Sequence, residues 1–134
     1  GSATDNNVQV SGYYDSNMAQ EVFNLTNQER ANNGLPAYSW DSNMASYSDR
    51  RAKEIVTDYS HNSVGGNWSV GENIAEGETS ASEVVNDWMN SAGHKANILS
   101  DVSTKTSVSC YVEKFTYADG STQYLHHWVQ NFTH

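Results

Sequence analysis

The sequence predicts an α+β domain built as a three-layer α-β-α sandwich. Three observations lead there. Apolar residues recur at helical spacing through the first two thirds of the chain. The last third changes to strand spacing around an Asp119-Gly120 turn. Both of those strands are apolar on both faces, as expected of a sheet covered from two sides.

The elements follow in order. Residues 1–16 read as a polar N-terminal arm without clear periodicity, its opening Gly-Ser a cloning remnant, and residues 17–134 as the domain proper. In the first helix, residues 17–33, Met18, Val22, Leu25 and Glu29 form one stripe, with Ala19, Phe23 and Arg30 beside it. Gly34 and Pro36 supply its stop. A second helix starts at Asp41 as N-cap and carries Met44, Ser48, Ala52, Ile55 and Tyr59 on one face. A long Gly- and Asn-rich loop follows through "SHNSVGGNWSVGENIAEGE", the type of segment that often carries function. A third helix begins near Ser80, where "SASE" reads as a capping box of Ser80 with Glu83, and breaks at Gly93 before a short further turn. The hairpin closes the chain.

Composition narrows the function. A length of 134 residues suits one domain, and eight Tyr with four Trp provide enough buried area to exclude disorder. A net charge of −9 argues against nucleic acid and anionic lipid surfaces. The single cysteine, Cys110, excludes an intramolecular disulfide and reads as a small buried hydrophobe. No apolar run is long enough to span a membrane. Asn, Ser and Thr richness suggests an exported bacterial protein whose leader has been removed.

Candidate chemistry rests on histidines and acids. His61 and Glu72 lie in the long loop, with Glu72 at a Gly-to-helix junction, Glu83 at the start of the third helix, and His126 and His127 on opposite faces of the last strand. Two converging imidazoles with carboxylates nearby make a partial zinc site, and a His/Glu pair also suits general acid–base work. The bland alternatives stand beside these. Glu83 is accounted for by its cap, Glu72 by the dipole of a first helical turn, and a mid-strand histidine by a hydrogen bond in the core. His94 reads as satisfying the end of the third helix, and Trp40, Trp68, Trp88 and Trp128 as core anchors.

The segments "FNLTNQERANNGLPAYSW", "HNS", "GENIAEGE", "SEVVNDWMNSAGHKANIL" and "HHWVQNF" together resemble the CAP superfamily (SCP domains) in its bacterial branch. The resemblance covers residues 17–133. It implies an α-β-α sandwich with an open cleft in which two His and two Glu converge. Carried over, these are His61, Glu72, Glu83 and His127, with Gln130 as the family glutamine, and His61 and His127 as the zinc ligands. Asn62 stands where the family often has serine, with Ser63 one residue later, which weakens a serine-hydrolase reading. The implied function is a secreted or cell-surface binding module, monomeric or weakly dimeric, for a small hydrophobic ligand, a peptide or a cell-surface component. A metal-assisted hydrolase and a purely structural surface module are the alternatives.

Overall fold

The structure, a computed structural model, describes residues 8–61 and 71–134. One sheet runs in the order β1-β4-β5-β3, formed by β1 (Val8–Tyr14), β4 (Lys105–Tyr117), β5 (Thr122–Thr133) and β3 (Gly71–Glu76). All of these pairs are antiparallel, and the two-residue β2 (Ser39–Trp40) joins β4 in parallel. Helices α1 (Ser16–Asn32), α3 (Ala81–Met89) and α4 (Ala92–Ile98) cover one face, and α2 (Ser42–Glu54) covers the other. The three-layer α+β sandwich expected from the sequence is the fold observed.

Alternation along the strands decides which residue meets which layer. Val108, Cys110, Val112 and Trp128 pack with Val22 of α1, Val84 and Trp88 of α3, and Ile98 of α4. On the opposite face, Ile74 and Val129 pack with Ala52 and Ile55. Trp88 is buried, donating its indole N–H to the Ile74 carbonyl at 3.1 Å, so this large side chain brings no unsatisfied polar group into the core. Trp128 is treated in the same way, donating to the Glu78 carbonyl at 3.0 Å. Trp40 is half-buried, and Trp68 lies outside the described residues.

Local chemistry sets the element ends. Asp15 caps α1 by accepting from the Met18 amide at 3.0 Å, and Asp41 caps α2 through the Asn43 and Met44 amides. After α1, the Gly34 amide bonds back to the Ala31 carbonyl and the Leu35 amide to that of Arg30, a Schellman closure that uses Gly34 at φ 72°. The buried stripe of α1 is Ala19, Val22, Thr26 and Arg30, with Met18, Phe23 and Leu25 only partly covered. Arg30 is tolerated there because it donates to the carbonyls of Pro36, Ile98 and Ser100 and stacks 3.8 Å over Tyr38. Asp119 and Gly120 (φ 87°) make the hairpin turn.

Three readings are corrected. The N-terminal arm contains strand β1 from Val8, paired with Tyr117 through Tyr111 of β4; its sequence hides this because an edge strand with both faces largely open needs no apolar alternation. "GENIAE" is strand β3, not loop or first helical turn, and it pairs with Phe132 through His127 of β5. The third helix ends at Met89, with Asn90 as C-cap, so its break precedes Gly93, and the following turn is the seven-residue α4.

Candidate functional site

Glu72 is the fixed point. It is buried on β3, facing α2, beside Asn131 in register on β5. Its Oε1 accepts from Arg51 Nη2 at 2.7 Å and its Oε2 from Arg51 Nε at 2.8 Å, a bidentate clamp. Asn131 Nδ2 donates to Oε2 at 2.9 Å, and Asn131 is in turn positioned by the Ser48 hydroxyl, which reaches its Oδ1 at 2.7 Å. The pairing with Glu72 is the main cause holding the Arg51 guanidinium pKa above its usual value. Arg51 Nη2 also donates to the Ser60 carbonyl at 2.6 Å, fixing the backbone next to His61.

His61 completes this cluster. Its Nδ1 lies 2.8 Å from Glu72 Oε1. A carboxylate only accepts, so Nδ1 carries the hydrogen in either protonation state, and in the neutral form of this half-exposed ring Nε2 carries the lone pair. Both oxygens of Glu72 are therefore engaged, by Arg51, Asn131 and His61, leaving no free lone pair for abstracting a proton.

A second imidazole comes from α4, and it is His94. Burial first, and then the positive charge that His61 carries when protonated, lower its pKa. His94 Nδ1 is 2.9 Å from the Ser91 hydroxyl, which can accept as Glu72 does for His61. The helix is tied to β3 from below: Asn97 donates to Asn73 Oδ1 at 2.9 Å and to the Glu72 carbonyl at 3.3 Å, and Asn73 donates to the His94 carbonyl at 3.2 Å. Gly71 has Asn97 Oδ1 3.0 Å from where a β-carbon would stand, so a side chain there would make the Asn97 amide shift by a few tenths of an ångström.

The expected tetrad does not converge. Glu83 is exposed and occupied as a cap, accepting from the Thr79 amide at 2.8 Å while its own amide donates to Ser80 Oγ at 3.1 Å. His127 is fully buried four residues along β5 from Asn131, about 13 Å at strand rise. Its Nε2 bonds Glu113 Oε1 at 2.8 Å, and its Nδ1 lies 3.9 Å from Glu76 Oε1. The pairing of His61 with His127 as metal ligands is thereby corrected: strand register carries His127 into a separate Glu76–His127–Glu113 cluster. His126 points to the other face, as expected, and stacks on Trp128. Gln130 is a core residue, donating to Thr26 Oγ1 at 2.8 Å. Asn62 and Ser63 lie outside the described residues.

Sequence reasoning missed Arg51, His94 and Asn97. Arg51 falls three residues after Ser48 and four before Ile55, on the face already identified as buried. His94 and Asn97 are spaced i, i+3 and so share a helix face. Among the described residues no three His, Cys, Asp or Glu side chains form a group able to hold a metal ion.

The family model for the cysteine-rich secretory protein family (CAP) matches residues 23–132. YkwD of Bacillus subtilis is 31% identical over 109 residues, covering 70% of this chain and 42% of that protein. The secreted protein RBT4 of Candida albicans is 29% identical over 93 residues, covering 69% and 25% respectively. The chain thus spans less than half the length of these relatives. Among solved structures, an extracellular SCP-domain protein of Bacillus anthracis is similar at TM-score 0.67 and 25% identity, over 89% of this chain and 41% of that one. An outer surface protein of Borrelia burgdorferi shares the fold at TM-score 0.66 and 16% identity, over 92% and 98%.

Proposed function

We propose, from the premise that this chain belongs to the cysteine-rich secretory protein (CAP) family, that it works outside the cell as a binding module whose cleft lies at the free edge of β3. Extracellular placement is supported by relatives described as secreted, extracellular or outer-surface proteins, and no helix of the described residues is long and apolar enough to cross a membrane. The ligand is a small molecule, a peptide or a cell-surface component.

One observation carries the reading of the cleft: His61 is held through Nδ1 by a carboxylate that is itself buried and clamped. That is the arrangement by which carboxylates orient metal-binding imidazoles. His61 and His94 would hold a divalent ion such as zinc, and the ion would supply an anchoring point for a ligand oxygen. The hydrolase alternative needs a carboxylate base in the cleft. With Glu72 fully engaged and Glu83 in its cap, neither offers one, so binding ranks first.

Zinc titration by calorimetry tests this. His61→Ala and His94→Ala are each expected to abolish binding, and His127→Ala to leave it unchanged. Undiminished affinity in both of the first two variants would overturn the reading.

A further inference from the structure

A cavity lies at the opposite edge of the sheet from β3. β2 pairs with β4 as far as Thr106, and β1 begins pairing only at Tyr111, so among the described residues no strand lies beside Ser107–Cys110 on this edge. The gap opens into a cavity of about 280 Å³ between α1 and α2, the size of one long side chain.

Its lining has a definite chemical bias. Ala19, Trp40, Ala45 and Val108 give apolar walls, and Trp40 is fixed edge-on against Phe23 at 5.4 Å. Asp15 and Asp49 line the same space. So does Ser109, which is 1% exposed and whose buried hydroxyl has no hydrogen-bond partner among the described residues. A buried hydroxyl without a partner costs on the order of 1–3 kcal/mol, which a ligand donor would offset. No Lys or Arg lines this cavity among the described residues, although Arg50 and Lys53 share an adjoining groove with Asp49. Arg50 lies over the Tyr47 ring and 4.0 Å from Glu54, and Lys53 lies toward the Tyr111 ring.

We infer that this edge cavity binds a primary alkylammonium group on a short apolar stem, the chemistry of a lysine side chain or a free diamine. The stem would lie along Trp40, Ala19 and Ala45, with the cation favoured by the indole face. The ammonium would donate to Ser109 Oγ and to the Asp49 carboxylate, with Asp15 adding negative potential. A neutral or anionic head group is disfavoured here, because it cannot pair with the Asp49 carboxylate.

The test is an amide NMR titration of the intact chain with three probes: 1,5-diaminopentane, Nα-acetyl-lysine methylamide, and the same amide acetylated at Nε. Saturable shifts centred on Trp40, Asp49 and Ser109 are expected with the amines and not with the Nε-acetylated form. Response to the diamine alone would assign a free amine, and response to the lysine amide a side chain of a partner peptide. Asp49→Asn should weaken binding at least about tenfold, as loss of a charge-assisted contact requires. Ser109→Ala should weaken it further, and His61→Ala, in the other cleft, should change nothing. No saturable shift with either amine, equal binding of the Nε-acetylated probe, or undiminished binding in a folded Asp49→Asn variant would overturn the proposal.

Discussion

Arg51 grips both oxygens of Glu72, at 2.7 and 2.8 Å, with both side chains almost wholly inaccessible to solvent. The pair joins α2 to β3 and, through the Ser60 carbonyl, fixes the chain leading to His61. Removing one partner leaves a buried charge without compensation, which costs far more than the net worth of the pair. Arg51→Met is therefore expected to destabilise the domain by about 3–5 kcal/mol in denaturant unfolding. A loss below about 1 kcal/mol, the range of exposed pairs, would refute the clamp.

His94 should titrate below the ordinary histidine value in the metal-free protein, because burial and the neighbouring His61 charge both disfavour its imidazolium. His61→Gln removes the second cause and is expected to raise the His94 pKa partway. The folded pKa lies below the unfolded one, so this group costs stability as pH falls below about 6.5. Proton NMR titration of both proteins reads this directly; an unmoved His94 pKa would separate the two rings.

Glu83 should behave as a cap and nothing more. Glu83→Ala is expected to cost about 0.5–1 kcal/mol of stability, comparable with Ser80→Ala, while leaving zinc affinity intact. Loss of zinc binding without loss of stability would return Glu83 to the site.

Glu78 is the most displaced carboxyl among the described residues. Burial first, then hydrogen bonding to Asp87, raise its carboxyl to about 7. A raised acid favours the protonated fold: its contribution is complete below the unfolded value near 4.3 and is lost as pH rises through 7. Asp87→Asn should lower the Glu78 pKa and flatten this decline between pH 5 and 7, measured as chemical denaturation at several pH values. An identical pH slope in both proteins would count against the carboxyl pair.

Layers, helix starts and the hairpin were legible in the sequence because each has a local cause. Asp41, Ser80 and Gly120 act on backbone groups within a few residues. The site was legible only in part. His61 and Glu72 meet at the sheet edge, but whether the strand imidazole of His127 reaches them depends on register. Glu76 stands opposite His127, and Asn131 stands opposite Glu72. A four-residue offset of that kind is set by long-range pairing, not by the spacing of residues along the chain. The same holds for β1, whose partner lies about a hundred positions away. His94 reads from sequence as satisfying the end of the third helix, but that helix stops at Met89 and His94 belongs to α4.

Cys110 sits in the middle of β4 with 1% of its surface exposed, and burial pushes its thiol up to about 12. At neutral pH almost no thiolate exists there to attack a disulfide or to be oxidised. The packing of this sheet is therefore indifferent to the redox state of its surroundings. Refolding with or without reductant should reach the same structure, and the domain has no need of an oxidising compartment or a thiol-exchange partner to mature.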